Sequence, residues 1–175
     1  RQRQMCIRDS EYIHLAYKVH SIARRYNVPL IVDDRVDVAL AVGTEGVHVG
    51  QTDMPVSIAR KLMGPDRIVG ATTKTVTQAV EAYEQGADYL GVGAVFHTDS
   101  KADVAEVSRE TLKAICDAVD IPVIAIGGIS SKNVTELKGR GIVGIAVISA
   151  IFAQPDITKA TAELKALTEK TVAND

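Results

Sequence analysis

The sequence predicts an α/β fold built on a parallel sheet, because short apolar runs rich in β-branched residues alternate with helical patterns along the chain. The runs are continuously apolar rather than alternating, as is typical of parallel strands that are covered on both faces. The chain has 175 residues, of which 46% are hydrophobic, and a mean hydropathy of +0.08. This length and composition allow a buried core and argue against intrinsic disorder.

The elements follow in a regular order. A helical pattern over residues 12–27 comes first, and six strands then alternate with six helices. The predicted strands span residues 30–33, 46–49, 67–71, 89–95, 123–126 and 145–148. The predicted helices span residues 36–42, 56–62, 76–85, 109–119, 132–140 and 157–169. Several have start or stop signals, namely Pro55, Ser108 and Ser131 at starts and Gly64 and Gly86 at ends.

Two architectures fit this order, an open doubly wound sheet and a (β/α)8 barrel, the TIM barrel. No GxGxxG fingerprint follows the first strand, whereas polar residues follow every strand, as in a barrel whose site is a ring of loops. We therefore predict a TIM barrel with about six of its eight βα units present. A strand, a helix and a strand, about 40 residues in all, would precede them.

The two ends of the chain differ in character. Residues 1–10 (RQRQMCIRDS) show no apolar period and are interpreted as a non-native or disordered prefix. Residues 11–175 are predicted to form a single partial barrel domain.

Charge and cysteine content narrow the class of protein. Lys and Arg total 20 and Asp and Glu total 22, a net charge of −2, so no basic excess is available to neutralise nucleic-acid phosphates. The longest apolar run, near residues 121–129, is too short to cross a bilayer. Cys6 and Cys116 form no metal-binding spacing. We predict a cytoplasmic protein with small-molecule ligands and neither nucleic-acid nor membrane partners; a homo-oligomer is compatible with the sequence.

Polar residues and glycines at the strand ends are the candidates for chemistry. They are Asp33, Asp34, His48, Gln51, Asp53, Thr72, the loop 97–103, Gly127, Gly128 and Ser149. Asp34 and Asp53 follow adjacent strands and could share Mg²⁺, which prefers oxygen ligands. The alternative for both carboxylates is helix capping, since each lies just before a predicted helix.

Phosphate binding is the second chemical theme. Gly127 and Gly128 lie between a strand and a helix, where backbone N–H groups can approach an anion, although a tight turn needs the same residues. The VISA segment at 147–150 adds a second helix start, and barrels often bind phosphate at their last two loops. Lys101 could contact a diphosphate as a point charge, or it could simply be solvated.

Six stretches together resemble the thiamine-phosphate synthase family. They are VPLIVDDRVDVAL, GVHVGQTD, VGATTKT, GADYLGVGAVFHTDSK, IPVIAIGGIS and VISAI, in the family's order between residues 28 and 151. The resemblance implies a (β/α)8 barrel that requires Mg²⁺. It also implies a reaction that joins a hydroxymethylpyrimidine diphosphate to a thiazole phosphate, giving thiamine phosphate and pyrophosphate.

The resemblance also implies roles for individual residues. Asp34 and Asp53 would hold Mg²⁺, Thr72 would contact the pyrimidine, and Lys101 its diphosphate, with Thr72 and Lys101 as the catalytic candidates. The other substrate-binding candidates are Asp33, Gln51, Thr98, Asp99, Ser100, Gly128, Ile148 and Ser149. Of these, Thr98, Asp99 and Ser100 would touch the thiazole phosphate, and Gly128, Ile148 and Ser149 would bind its phosphate group.

Two departures from the family pattern leave alternatives open. Asp33 stands where the family usually has Asn, and its carboxylate would repel a diphosphate unless a cation lies between them. The family's early Gln-x-Arg-x-Lys stretch is absent from this sequence, which predicts a truncated chain. The alternatives are a thiazole tautomerase of the same superfamily and an inactive, phosphate-ligand-binding barrel fragment.

Overall fold

The computed structural model describes residues 9–97 and 106–173, which fall into two compact units. The first unit holds the chain as far as Ala71, together with Gln85–Ala87. The second holds Thr72–Glu84 and the chain from Asp88 onward. The single-domain boundary at 11–175 stays a prediction.

The first unit alternates helices and parallel strands. Its elements are α1 (Asp9–Arg25), β1 (Ile31–Asp33), α2 (Val36–Val42), β2 (Gly46–Val49), α3 (Val56–Met63) and most of β3 (Ile68–Thr73). β1 pairs with β2 in parallel, with Asp33 opposite His48, and β2 pairs with β3 in parallel. The polar residues that follow β1 and β2 therefore lie at one edge of this sheet.

The second unit repeats the same alternation. Its elements are α4 (Val76–Glu84), β4 (Tyr89–Gly93), α5 (Arg109–Ala118), β5 (Val123–Ile126), a 3₁₀ helix (Val134–Leu137), β6 (Gly144–Ala146), α6 (Ser149–Phe152) and α7 (Ile157–Val172). β4 pairs with β5 and β5 with β6, both in parallel. Leu90, Leu112 and Ile115 are fully buried and form part of its core.

The predicted α/β class and parallel pairing are confirmed, while closure into an eight-unit barrel stays a prediction. Several boundaries shift by one to three residues, and α1 begins at Asp9, inside the proposed prefix. Ser108 caps α5 as predicted, since its hydroxyl accepts a hydrogen bond from the Thr111 N–H. Over residues 9–97 and 106–173, no helix is long and apolar enough to cross a membrane.

The helix predicted over residues 132–140 is wrong. Only the four-residue 3₁₀ helix forms there, and its cap, Lys138, already has extended ψ. The left-handed glycines Gly139 and Gly141 follow directly, and a helix cannot continue through that conformation. The N-cap residue of this helix is Asn133 rather than the predicted Ser131, and the Ser130 carbonyl accepts the N–H groups of Asn133 and Val134.

Arg60 explains why Gln85–Ala87 groups with the first unit. Its guanidinium donates hydrogen bonds to the carbonyls of Gly86, Gly64 and Arg67 at 3.0, 2.8 and 2.6 Å. A planar guanidinium has five donors in fixed directions, which suits it to bridging several carbonyls. The side chain therefore joins the end of α3 to the loop after α4.

A partly buried hydrogen bond between His20 and Glu45 joins α1 to the loop before β2. His20 is 8% exposed, and its Nε2 lies 3.0 Å from Glu45 Oε1. Because an ionised carboxylate only accepts, Nε2 is the donor. Glu45 Oε2 also accepts a hydrogen bond from the Leu30 N–H at 2.8 Å. Burial alone would raise the pKa of Glu45, but these two hydrogen bonds outweigh it and lower the pKa below its ordinary value of 4.5.

This pair predicts a pH-dependent stability of the first unit. A carboxyl with a lowered folded-state pKa stabilises the fold above its unfolded pKa, and that contribution is lost as the pH falls through the folded value. We expect Glu45→Gln to cost about 1 kcal/mol at pH 7, after allowance for solvent screening. Urea unfolding should show the difference shrinking as the pH falls from 4.5 through the lowered folded-state pKa of Glu45. The exposed Glu81→Gln is the control, and an E45Q deficit that persisted in acid would contradict the assignment.

Candidate active site

Asp34 stands at the carboxyl end of β1 in an unusual backbone conformation. Its φ is +62°, in the left-handed region, and its N–H donates a hydrogen bond to the carbonyl of His48 at 2.8 Å. This bond extends the β1–β2 pairing by one residue. The half-buried Asp34 is therefore held beside the end of β2, while Asp33 is exposed.

Asp53 is fixed by the turn that follows β2. Its Oδ2 accepts a hydrogen bond from the Gly50 N–H at 2.9 Å, and its own N–H donates to the Gly50 carbonyl at 3.2 Å. The N-cap residues of α2 and α3 are Arg35 and Pro55, so neither Asp34 nor Asp53 is the N-cap residue of its helix. Gln51, in the same turn, is exposed.

The donor chemistry of this acidic pair suits Mg²⁺. Magnesium takes oxygen ligands, usually one or two protein carboxylates, and completes its octahedral shell with water and substrate phosphates. Asp34 and Asp53 follow neighbouring parallel strands of the first unit and can supply such carboxylates. In the described ranges, no group of three or more His, Cys, Asp or Glu side chains could hold a metal ion. The two carboxylates are therefore the protein ligands considered for this site.

Tyr12 is a neighbour of Asp33 and Asp34 that sequence reasoning missed. Its ring lies 6.0 Å from the guanidinium carbon of Arg35, which also pairs with Asp9 and Asp37. Burial raises the pKa of the Tyr12 phenol, and the carboxylates of Asp33 and Asp34 raise it further. The phenol therefore stays protonated at neutral pH. In sequence, Tyr12 is only one more helix residue.

The glycine pair after β5 forms a tightly enclosed loop in the second unit. Gly127 and Gly128 have φ values of +95° and +67°. A Cβ on Gly127 would lie 2.5 Å from that of Ala94, and a Cβ on Gly128 would lie 2.7 Å from the Phe96 carbonyl oxygen and closer still to that of His97. Both torsion and space therefore require glycine at these positions.

Hydrogen bonds hold this loop in one orientation. The Gly127 carbonyl accepts from the Phe96 N–H at 3.2 Å, and the Gly128 carbonyl accepts from Asn133 Nδ2 at 2.9 Å. Asn133 was not predicted as a functional residue. The signal that could have found it is the Ser-x-x-Asn spacing from Ser130, since an Asn side chain can bond back to a nearby backbone N–H.

The other candidates within the described residues lie at the start of α6 and near the end of β3. Ile148 is 67% exposed and is the N-cap residue of α6, so the predicted helix start in the VISA segment is confirmed. Ser149, the first residue of α6, is exposed, and Thr72 is half-buried near the end of β3. Thr98, Asp99, Ser100 and Lys101 lie outside the described residues.

Comparison with known proteins points to one family. The family described as thiamine monophosphate synthase matches residues 1–151. Thiamine-phosphate synthase from Clostridium tetani is 49% identical over 162 residues, which cover 93% of this chain and 78% of that protein. The enzyme of the same name from Lacticaseibacillus paracasei is 45% identical over 173 residues, covering 99% of this chain and 81% of that protein.

A solved structure agrees with the sequence relatives. Thiamine phosphate pyrophosphorylase from Pyrococcus furiosus superposes with a TM-score of 0.86 and 41% identity, over 95% of this chain and 80% of that chain. With a family match over most of its length and relatives near half identical, this chain belongs to the thiamine monophosphate synthase family, whose synthases are transferases.

Proposed function

We propose that this chain catalyses the synthase reaction of thiamine biosynthesis. The bond between the pyrimidine methylene carbon and its diphosphate oxygen breaks, and the thiazole nitrogen forms a new bond to that carbon. The products are thiamine phosphate and pyrophosphate. The observation that carries the proposal is the family membership of the chain, with synthase relatives at 45–49% identity. It favours the synthase over a tautomerase or an inactive binding fragment.

The proposed chemistry is positioning and charge stabilisation rather than proton transfer. Asp34 and Asp53 would hold Mg²⁺, which supplies positive charge to the departing diphosphate when it is bound. Their placement after neighbouring strands and the fixed turn around Asp53 support this role. Both carboxylates are half-buried, which limits the water that competes for them.

The substrate contacts are proposed from the family pattern. Thr72 would face the pyrimidine and Lys101 its diphosphate, with Asp33 and Gln51 beside it. The thiazole phosphate would meet Thr98, Asp99, Ser100, Gly128, Ile148 and Ser149. The oriented carbonyls of the glycine loop support a phosphate site there, because they leave the adjoining N–H groups facing the other way.

We also propose a closed barrel architecture and a cytoplasmic location for this protein. The family resemblance supports a (β/α)8 barrel and a cytoplasmic enzyme with small-molecule substrates. Self-association and the lack of a nucleic-acid partner stay predictions from composition.

The test is a coupled assay with both precursors and Mg²⁺. We expect thiamine phosphate and pyrophosphate in equal amounts, with the rate falling to background when the metal is chelated. The assay is run on this chain and on a chimera that adds the part of the Clostridium tetani relative lying outside the matched 78% of its length. A folded chimera that binds thiazole phosphate without condensing the two precursors would overturn the synthase proposal in favour of the tautomerase or the binding protein.

A further inference from the structure

We propose that Asn133 is a positioning residue that aims the backbone N–H groups of Gly128 and Ile129 at the substrate phosphate. The inference rests on the proposed function, because that function places the thiazole phosphate at this loop. Asn133 would act through the peptide planes and would not touch the substrate itself.

The side chain of Asn133 makes bonds in two directions. Its Oδ1 accepts a hydrogen bond from the Ser130 N–H at 2.8 Å and lies 3.4 Å from the Ser130 hydroxyl oxygen. Its Nδ2 donates to the Gly128 carbonyl at 2.9 Å. One half of the amide therefore faces the helix start and the other half faces the glycine loop.

The bond to Gly128 fixes the orientation of a peptide plane. The peptide bonds between Gly127, Gly128 and Ile129 are trans, so each carbonyl points opposite to the N–H of the next residue. Because Asn133 holds the Gly128 carbonyl, the Ile129 N–H points away from Asn133. Because the Phe96 N–H holds the Gly127 carbonyl, the Gly128 N–H points away from Phe96.

Helix capping alone does not account for this arrangement. Asn133 is the N-cap residue of the 3₁₀ helix, yet its side chain makes no cap hydrogen bond to that helix. Its two side-chain bonds go back along the chain instead, to the Ser130 N–H and the Gly128 carbonyl. The helix that follows has only four residues, so its own N-terminus is a weak anion site.

Glycine makes such an anchor necessary. Gly127 and Gly128 adopt conformations that other residues rarely enter, and free glycine peptides rotate readily between alternatives. Donors that are already oriented bind an anion without first losing that freedom. Without Nδ2, the Gly128–Ile129 peptide would lose the anchor given by Asn133.

The test compares Asn133→Asp with Ser131→Asp in this chain. The first variant keeps the acceptor for the Ser130 N–H and loses the donor to Gly128. The second adds the same charge at an exposed position of the same helix start and leaves Asn133 in place. Affinity is measured for thiazole phosphate and for inorganic phosphate, and amide shifts of Gly128 and Ile129 are followed by NMR. Thermal unfolding confirms that each variant is folded.

We expect N133D to weaken thiazole phosphate binding about tenfold, against less than about threefold for S131D. At one phosphate concentration, the Gly128 and Ile129 amides should shift in wild type and in S131D, and shift less in N133D. Equal affinities for N133D and S131D would overturn the role of Asn133 while leaving the proposed function standing. Asn133-dependent binding of inorganic phosphate, with no preference for thiazole phosphate, would support the role and count against the proposed function. If neither phosphate shifts these amides in wild type, the inference is wrong.

Discussion

Gly128→Ala is expected to destabilise the second unit by about 3 kcal/mol and to abolish binding of thiazole phosphate. The new Cβ would meet the carbonyl oxygens of Phe96 and His97, which are backbone atoms and cannot move aside as a flexible side chain could. The residue would also have to hold a φ of +67°, which is strained for alanine. Urea unfolding and a titration with thiazole phosphate measure the two effects.

Gly43→Ala is the matched control for this prediction. Gly43 is left-handed, with a φ of +75° and a ψ of +36°, but nothing lies within 4 Å of a Cβ placed there. It therefore reports the torsional cost alone, which we expect to be about 1–2 kcal/mol. Equal losses of stability in the two variants would contradict a clash between the new Cβ and the Phe96 and His97 carbonyls.

Asp53→Asn is expected to lower turnover in the active form of the enzyme by about a hundredfold and to raise the Mg²⁺ concentration needed for half-maximal rate. Asparagine keeps an oxygen that can accept from the Gly50 N–H, so the turn after β2 should survive. What is lost is the negative charge that would hold the cation. The coupled assay over a range of Mg²⁺ concentrations checks both effects.

Asp37→Asn provides the comparison for this loss of charge. Asp37 is an exposed acid in the first turn of α2, paired with Arg35. We expect its substitution to leave the Mg²⁺ dependence unchanged. A Mg²⁺ dependence in D53N equal to that of the wild type would show that Asp53 is not a metal ligand.

Short-range patterns predicted the fold well where one residue decides the local outcome. Pro55 before α3, Ser108 before α5 and the apolar run of β2 were all placed from sequence, because each acts through its own backbone or nearest neighbours. The helix predicted over 132–140 failed because Gly139 and Gly141 adopt left-handed torsions, and an apolar period does not register that.

The candidate site was predictable only in part, for a related reason. Asp34, Asp53 and the two glycines stand at strand ends, where chemistry is expected in parallel α/β folds. The Tyr12 hydroxyl bonds to the carbonyl of Asp33, 21 residues away, and the Asn133 amide bonds to the carbonyl of Gly128, 5 residues away. Hydrophobic periodicity does not predict such contacts. The sequence alone does not distinguish helix capping by Asp34 and Asp53 from metal binding. The structure excludes the capping role, because the N-cap residues are Arg35 and Pro55.

The left-handed backbone of Asp34 has a consequence for how this protein can evolve. At a φ of +62°, the backbone conformation costs aspartate about 1 kcal/mol more than glycine. Substitution of Asp34 by glycine should therefore stabilise the folded protein. The same change would delete a proposed magnesium ligand. Folding and catalysis therefore select for different residues at this position. A lineage released from the need to make thiamine phosphate should drift toward glycine here and gain stability as it loses the enzyme.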